Sequence, residues 1–369
     1  MSVNTSWRNS LVEPKESRVD AETDRISELP ILLVNIHEHC NCRCLMCDIW
    51  KRKDGAELDL TNFAHQRESI VRLGVKNVVL TGGEPLLHSK FEALCGFLKE
   101  TGIRITLLTT GLLLSKRAEV VARLVDEVVI SLDGPEELHD EVRRVKGAYR
   151  LISEGVQAVK RTNAATNFYG RSTVQKANHA MLRRTVSAAK ALQFDSISFL
   201  AVDATSQAFN RELVWPGEKQ SQIMLTSAEL AALESEIETL IRENADDFRS
   251  RFIRESETKL RGIARRFREY LGELTPVAPR CNAPWVSAVL EVDGSVRPCF
   301  FHQKIGNTDD KSLYEVINDD VARAFRASLN VDENPTCQRC VCSLNYPRNT
   351  ISNSQVRDLD EIGTMSVNI

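Results

Sequence analysis

The sequence predicts an α/β fold: a partial (β/α)6 TIM-like barrel, a helical bridge, and a small C-terminal cysteine-rich α+β module. Three observations predict it. Short apolar runs alternate with amphipathic stretches from residue 31 to about 200, the pattern of parallel βαβ units. From about residue 203 the composition turns to charge and strong helix formers. Nine of the ten cysteines fall in two groups, Cys40 to Cys47 and Cys281 to Cys342.

Residues 1–29 are polar, charged and aperiodic, and read as a loosely packed arm. The barrel is expected over 30–202. Its first strand is the apolar run 31–36, followed directly by four cysteines in a loop. The C-terminal ends of barrel strands are where chemistry sits. A helix is expected over 61–73, stopped by Gly74. The second strand is 77–80. The helix over 89–101 sets Phe91, Leu94, Cys95 and Leu98 on one face and ends at Gly102, so Cys95 reads as core. Further strands are expected at 104–109, 127–131, 172–178 and 196–200. A helix over 182–192 turns Val186 and Ala189 inward. Six strands with right-handed crossovers make a partial barrel.

The bridge spans 203–276. Thr226-x-x-Glu229 is a capping box ahead of Leu230, Leu233, Ile237 and Leu240 at helical spacing. A basic helix over 252–271 carries Arg261, Arg265, Arg266 and Arg268. That run reads as a solvated face, with recognition of an anionic substrate as the competing reading. The module spans 277–350, and 351–369 is a tail. Residues 289–298 read as a hairpin turning at Asp293-Gly294.

The chain has 369 residues, 42% of them hydrophobic, enough for a sizeable core. A net charge of −3 gives no argument for nucleic acid or a membrane surface as partner. No apolar stretch approaches the ~20 residues that span a bilayer. Residues 1–18 lack the apolar segment of a secretory signal. These features point to the reducing cytoplasm, where cysteines read as metal ligands rather than disulfides.

Cys40-x-x-x-Cys44-x-x-Cys47 offers three soft thiolates at a spacing that wraps one 4Fe-4S cluster and leaves the fourth iron open. The competing reading is a zinc site or redox dithiol, but zinc sites usually draw four ligands from separated pairs. Cys281 and Cys299 flank the hairpin, and Cys337-x-x-Cys340 can close on it. Four such thiolates complete a site for zinc or a 4Fe-4S cluster, with Cys342 as a substitute ligand.

The cysteine loop resembles that of the radical SAM enzymes. Thr81-Gly82-Gly83-Glu84-Pro85, Thr109-Thr110-Gly111 and Ser131-Leu132-Asp133-Gly134-Pro135 stand at strand ends as in that family. The resemblance implies that Cys40, Cys44 and Cys47 hold a cluster whose open iron chelates S-adenosylmethionine. It gives Cys42 no role. It implies that Gly83 and Glu84 meet the cofactor's ammonium and Ser131 its ribose. Met46 takes the usually aromatic position beside adenine, and Leu200 touches adenine. His139, in His139-Asp140-x-x-Arg143, reads as a helix-capping or surface histidine rather than a base.

The C-terminal cysteines resemble SPASM/twitch modules. They are too few for the two clusters of a full SPASM module, so one auxiliary 4Fe-4S cluster on Cys281, Cys299, Cys337 and Cys340 is expected. The implied function is oxidation of a small polar metabolite, of sugar or aminocyclitol type, with an electron donor such as flavodoxin or ferredoxin. The alternatives are a peptide or protein maturase and a non-catalytic metal-binding scaffold, for which a cofactor turn would be useless. A molybdopterin-type cyclase fits less well. Val79 stands where that group has arginine, and the chain closes Ser366-Val367-Asn368-Ile369 rather than on paired glycines.

Overall fold

The computed structural model describes residues 25–52, 55–208 and 213–347. Most of the expected arm and all of the expected tail lie outside the described residues. Six parallel strands form the barrel wall: β1 (Ile31–His37), β2 (Asn77–Gly82), β3 (Arg104–Thr109), β4 (Glu127–Ser131), β5 (Asn167–Val174) and β6 (Ser196–Ala201). They lie in sequence order, and the sheet stays open beyond β6. β1 is buried along its whole length, as a parallel strand covered on both faces must be.

The free edge of β1 does not end the sheet. β7 (Ser287–Leu290) pairs with it in parallel, Leu33 opposite Val289. β8 (Ser295–Arg297) and β9 (Gly306–Asn307) follow antiparallel, giving nine strands in one sheet among the described residues. Successive side chains of β1 therefore enter different cores. Leu32, Val34 and Ile36 join the main core, while Ile31 and Leu33 pack with Val79, Val286, Val289 and Leu344 in a second. That second core joins barrel and module.

Three elements differ from the sequence expectation. The helix expected over 61–73 is two, Leu60–Ala64 and Arg67–Arg72. At the break Gln66 is buried, and its Oε1 accepts the Leu313 N–H at 2.7 Å. The fifth strand begins at Asn167, five residues before the expected 172, and its residues alternate in burial along their length. Gln175 to Asn178 is a turn, in which Asn178 Oδ1 accepts the Gln175 N–H at 2.8 Å.

The basic helix is Glu257–Tyr270, capped by Ser256. Residues just before it are held in extended form, because Ile253 bridges Ile197 and Glu255 accepts the Phe199 N–H at 3.0 Å. The arginine run is not uniformly solvated. Arg261 and Arg268 pair with Glu238 and Glu234 outside. Arg266 is buried and donates to the carbonyls of Gln338 at 2.5 Å and Cys340 at 3.1 Å. It fastens the bridge to the module. Among the described residues no helix is long and apolar enough to cross a membrane.

The second core generates a prediction. Leu33 is 2% exposed, and truncating it leaves a cavity between barrel and module. Leu33→Ala should cost ~2–5 kcal/mol. Urea unfolding followed by circular dichroism and by tryptophan fluorescence should shift together, because Trp285 packs on the same core. An unchanged circular dichroism midpoint would contradict the shared core.

Candidate active site

The C-terminal ends of the barrel strands surround a cavity of about 230 Å³. Cys40, Cys44, Met46, Cys47, Gly83, Ser131 and Leu200 all line it. Glu84 and Cys42 are not among its lining residues.

The cysteine loop hangs on the C-terminal end of the helix Glu136–Arg143. The Arg43 N–H donates to the Arg143 carbonyl at 3.2 Å and the Leu45 N–H to the Val142 carbonyl at 3.1 Å. Each of the three lining sulfurs receives one N–H at 3.5 Å: Cys40 from the Cys42 amide, Cys44 from the Arg143 guanidinium, and Cys47 from the Ile49 amide. Such donors favour the thiolate. Cys44 is drawn down to about 6, first by the Cys42 thiol and also by Arg143, against its burial. Cys42 is pushed up by the same thiol contacts, to Cys40 and Cys44. Three soft, donor-supported sulfurs on one cavity fit an iron–sulfur cluster.

Arg143 is itself anchored by a 2.6 Å ion pair to the fully buried Asp133. Asp133 accepts the Thr173 N–H at 3.2 Å, which ties the β4 turn to β5. Burial pushes the Asp133 carboxyl up, and Arg143 pulls it back. His139 is neither a surface residue nor a cap. It lies on the buried face with Val142 and Arg143, 1% exposed, and its Nδ1 accepts the Asp133 N–H at 3.3 Å. Burial, then Arg143, holds it down to about 3, so it is neutral near pH 7.

The Gly82-Gly83 turn meets the cysteine loop backbone to backbone. The Gly83 N–H donates to the His37 carbonyl at 2.7 Å and the Glu84 N–H to the His39 carbonyl at 2.8 Å. A Cβ on Gly83 would stand 2.1 Å from the His39 oxygen, and one on Gly82 would stand 2.3 Å from the His37 oxygen. Gly82 also has φ +139. Only glycine permits this approach.

The Glu84 carboxylate is engaged within the protein. The side chain is fully buried and accepts four hydrogen bonds: from the Leu86 N–H at 3.0 Å, Thr109 Oγ1 at 2.7 Å, the Thr110 N–H at 2.8 Å and Thr110 Oγ1 at 2.6 Å. Burial pushes this carboxyl up, and the bonds from Thr110 and Thr109 oppose that. The carboxylate latches the β2 turn to the end of β3. The turn reaches the cavity through Thr81, Gly82 and Gly83.

At the far end of the molecule, Cys281, Cys299, Cys337, Cys340 and Cys342 line one cavity of about 60 Å³ together with His302. His302 Nε2 lies 3.4 Å from Cys337 Sγ, and the Cys340 thiol donates to the Cys342 carbonyl at 3.0 Å. Burial pushes Cys299 up to about 11 and Cys337 and Cys342 to about 12. Thiols so desolvated ionise when a metal supplies the charge. Among the described residues no group of three His, Cys, Asp or Glu side chains is placed to hold a single metal ion. His302 was not singled out in the sequence, although it stands three residues after Cys299.

A third cavity, about 290 Å³, lies between these two. Arg171, Leu200, Ala201 and Val341 line both it and the cavity at the barrel mouth. Pro279, Cys340 and Ser343 line both it and the C-terminal cavity. Arg171 reaches this position from the middle of β5, which the displaced strand expectation had left out of register.

The latch reading of Glu84 makes a prediction. Glu84→Ala strands the Leu86 and Thr110 N–H groups, at a cost of about 1–3 kcal/mol each. The thermal midpoint of the cluster-free protein should fall by several degrees, before any ligand is added. An unchanged midpoint with weakened S-adenosylmethionine affinity would show that the carboxylate serves the ligand instead.

Comparison with known proteins bears on both cysteine sites. The profile of the Radical SAM superfamily matches residues 34–186, and that of SPASM, an iron-sulfur cluster-binding domain, matches residues 281–341. The AdoMet-dependent heme synthase of Methanosarcina barkeri is 28% identical over 160 residues, 42% of this chain and 45% of that protein. A probable GTP 3',8-cyclase of Methanocella arvoryzae is 31% identical over 143 residues, 38% of this chain and 45% of that one. The chain thus spans less than half the length of these curated relatives. Among solved structures, anSMEcpe with bound AdoMet superposes with a TM-score of 0.60 at 18% identity, over 84% of this chain and 86% of that one. Streptococcus suis SuiB bound to S-adenosylmethionine gives 0.59 at 16%, over 88% and 75%. These two likenesses show the fold. The first family match contains the three-cysteine loop, the Gly82-Gly83 turn and Ser131, and the second contains Cys281, Cys299, Cys337 and Cys340. The chain carries a radical SAM domain over residues 34–186 and an iron–sulfur cluster-binding SPASM domain over residues 281–341, and these two domains imply S-adenosylmethionine and 4Fe-4S clusters as cofactors.

Proposed function

We propose that the protein oxidises a small polar metabolite in the middle cavity. In this reading Cys40, Cys44 and Cys47 hold the cluster that binds S-adenosylmethionine, and Cys281, Cys299, Cys337 and Cys340 hold one auxiliary cluster. The observation that carries it is the order of the cavities. The middle one borders the first site through Leu200, Ala201 and Val341 and the second through Cys340 and Ser343.

Bound at the first site, the cluster and S-adenosylmethionine supply a carbon-centred radical able to take a hydrogen atom from a C–H bond. The residues account for the rest. Gly83, Ser131, Met46 and Leu200 line the space in which that cofactor would lie. Phe199, Leu200, Ile263 and Val341 give the middle cavity an apolar wall. An alcohol carbon that has lost a hydrogen atom becomes a carbonyl by giving up one proton and one electron. A cluster held by Cys340 and its partners would accept that electron from the side of the cavity that Cys340 lines. An external donor of flavodoxin or ferredoxin type would return the first cluster to its reduced state.

The test is stoichiometry with a turned-over substrate. Oxidation predicts one 5′-deoxyadenosine per oxidised product, with deuterium carried from substrate carbon into the deoxyadenosine. Cys281→Ser and Cys340→Ser should suppress product more than cofactor cleavage. A product of unchanged oxidation state would overturn the oxidation and leave the superfamily assignment standing.

A further inference from the structure

The middle cavity carries a charge pattern that neither cysteine site has. Among the described residues four cationic side chains line it, Arg171, Lys259, Arg266 and Arg280, and no carboxylate does. The carboxylates that meet these cations stand behind the wall. Glu255 is buried and acts on Arg171 and Lys259, and Glu269 pairs with Arg266 at 2.6 Å.

The cations are not equivalent. Arg266 is spent on the Gln338, Cys340 and Val277 carbonyls and on Glu269. Arg171 is oriented by Ser198, whose Oγ accepts its Nε–H at 2.7 Å. Among the described residues, Lys259 Nζ and the Arg280 guanidinium have no hydrogen-bond or ion-pair partner. Lys259 comes from the first turn of the helix Glu257–Tyr270 and Arg280 from the segment before Cys281, so two separate elements bring charge to one cavity. A concave site of one sign concentrates ligands of the other, and guanidinium and ammonium groups together suit carboxylate or phosphate.

We propose that the middle cavity binds the anionic end, a carboxylate or a phosphate, of a small substrate, gripped by Arg171, Lys259 and Arg280. The anion then lies on the bridge side, and the carbon to be oxidised lies toward Leu200 and Val341. At about 290 Å³ the cavity has the size of a small metabolite. A protonated amine would face these cations, whereas a sugar acid, sugar phosphate or hydroxy acid would be drawn to them. This proposal rests on the reading of the middle cavity as the substrate's seat.

The test is calorimetry on the full-length holoenzyme, prepared without oxygen and saturated with S-adenosylmethionine. The probes are inorganic phosphate, glutarate, glucosamine and tetraglutamate. Phosphate or glutarate should bind saturably and more weakly as salt rises. Lys259→Met and Arg280→Met should each weaken that binding about tenfold or more, and Lys259→Arg should recover most of it. Iron content and circular dichroism of each variant check that it is folded and loaded. Absent anion binding, binding unchanged in both methionine variants, or preference for glucosamine would overturn the proposal. Binding of tetraglutamate without either small anion would overturn its commitment to a small substrate. Formation of 5′-deoxyadenosine by the same wild-type preparation, reduced with dithionite and without any probe, separates the two levels. If it occurs and no anion binds, only this proposal fails; if it does not occur, the underlying reading fails.

Discussion

Two backbone hydrogen bonds, from Gly83 to His37 and from Glu84 to His39, hold the cysteine loop against the turn of the neighbouring strand. The geometry of the barrel mouth follows from that clasp. It is possible because neither Gly82 nor Gly83 carries a Cβ. It is kept in place from behind by the buried Glu84 carboxylate, which binds Thr109 and Thr110 at the end of β3. From the other side the helix Glu136–Arg143 takes the loop amides at its C-terminal carbonyls and sends Arg143 to Cys44. The loop is thus fixed by three elements before any metal arrives, and three sulfurs are brought to one cavity at small entropic cost.

The second constraint is the sheet. Because β7 pairs with β1, the C-terminal cysteines stand in register with the barrel rather than on a free appendage. Leu33 of β1 also lines the C-terminal cavity. Arg266 secures the same relation from the bridge by binding carbonyls on both sides of the Cys337-x-x-Cys340 knuckle's last turn. With both anchors in place, a cavity of fixed size is left between the two sets of thiols, and its charge comes from the bridge helix and β5.

Much of this was legible in the sequence because the signals are local. Three cysteines within eight residues, a Gly-Gly turn after an apolar run, and alternating strands and helices need no tertiary knowledge. The rest depended on what lies opposite in space. Ser131 and Leu200 read as strand ends, and their common cavity needs the sheet to curve. The fifth strand is harder to place because Asn167–Val174 alternates in burial while its sequence, with Arg171, Ser172 and Thr173 in a row, has no matching alternation of polar and apolar residues. His139 and Arg266 are polar residues on helices, which composition assigns to solvent; one is buried by Asp133 and the other by the module's carbonyls. Glu84 shows the same limit more sharply. A motif marks the residue, but only the fold shows that its oxygens are already engaged.

The central claim is that two separate sets of thiols each hold a four-iron cluster on either side of one substrate cavity. Iron and acid-labile sulfide analysis after anaerobic reconstitution tests it most directly. Wild-type protein should hold about eight irons per chain, and a Cys40, Cys44 and Cys47 triple alanine variant about four. A triple variant that keeps zinc and no iron would contradict the second cluster and, with it, the electron path assigned to the C-terminal site.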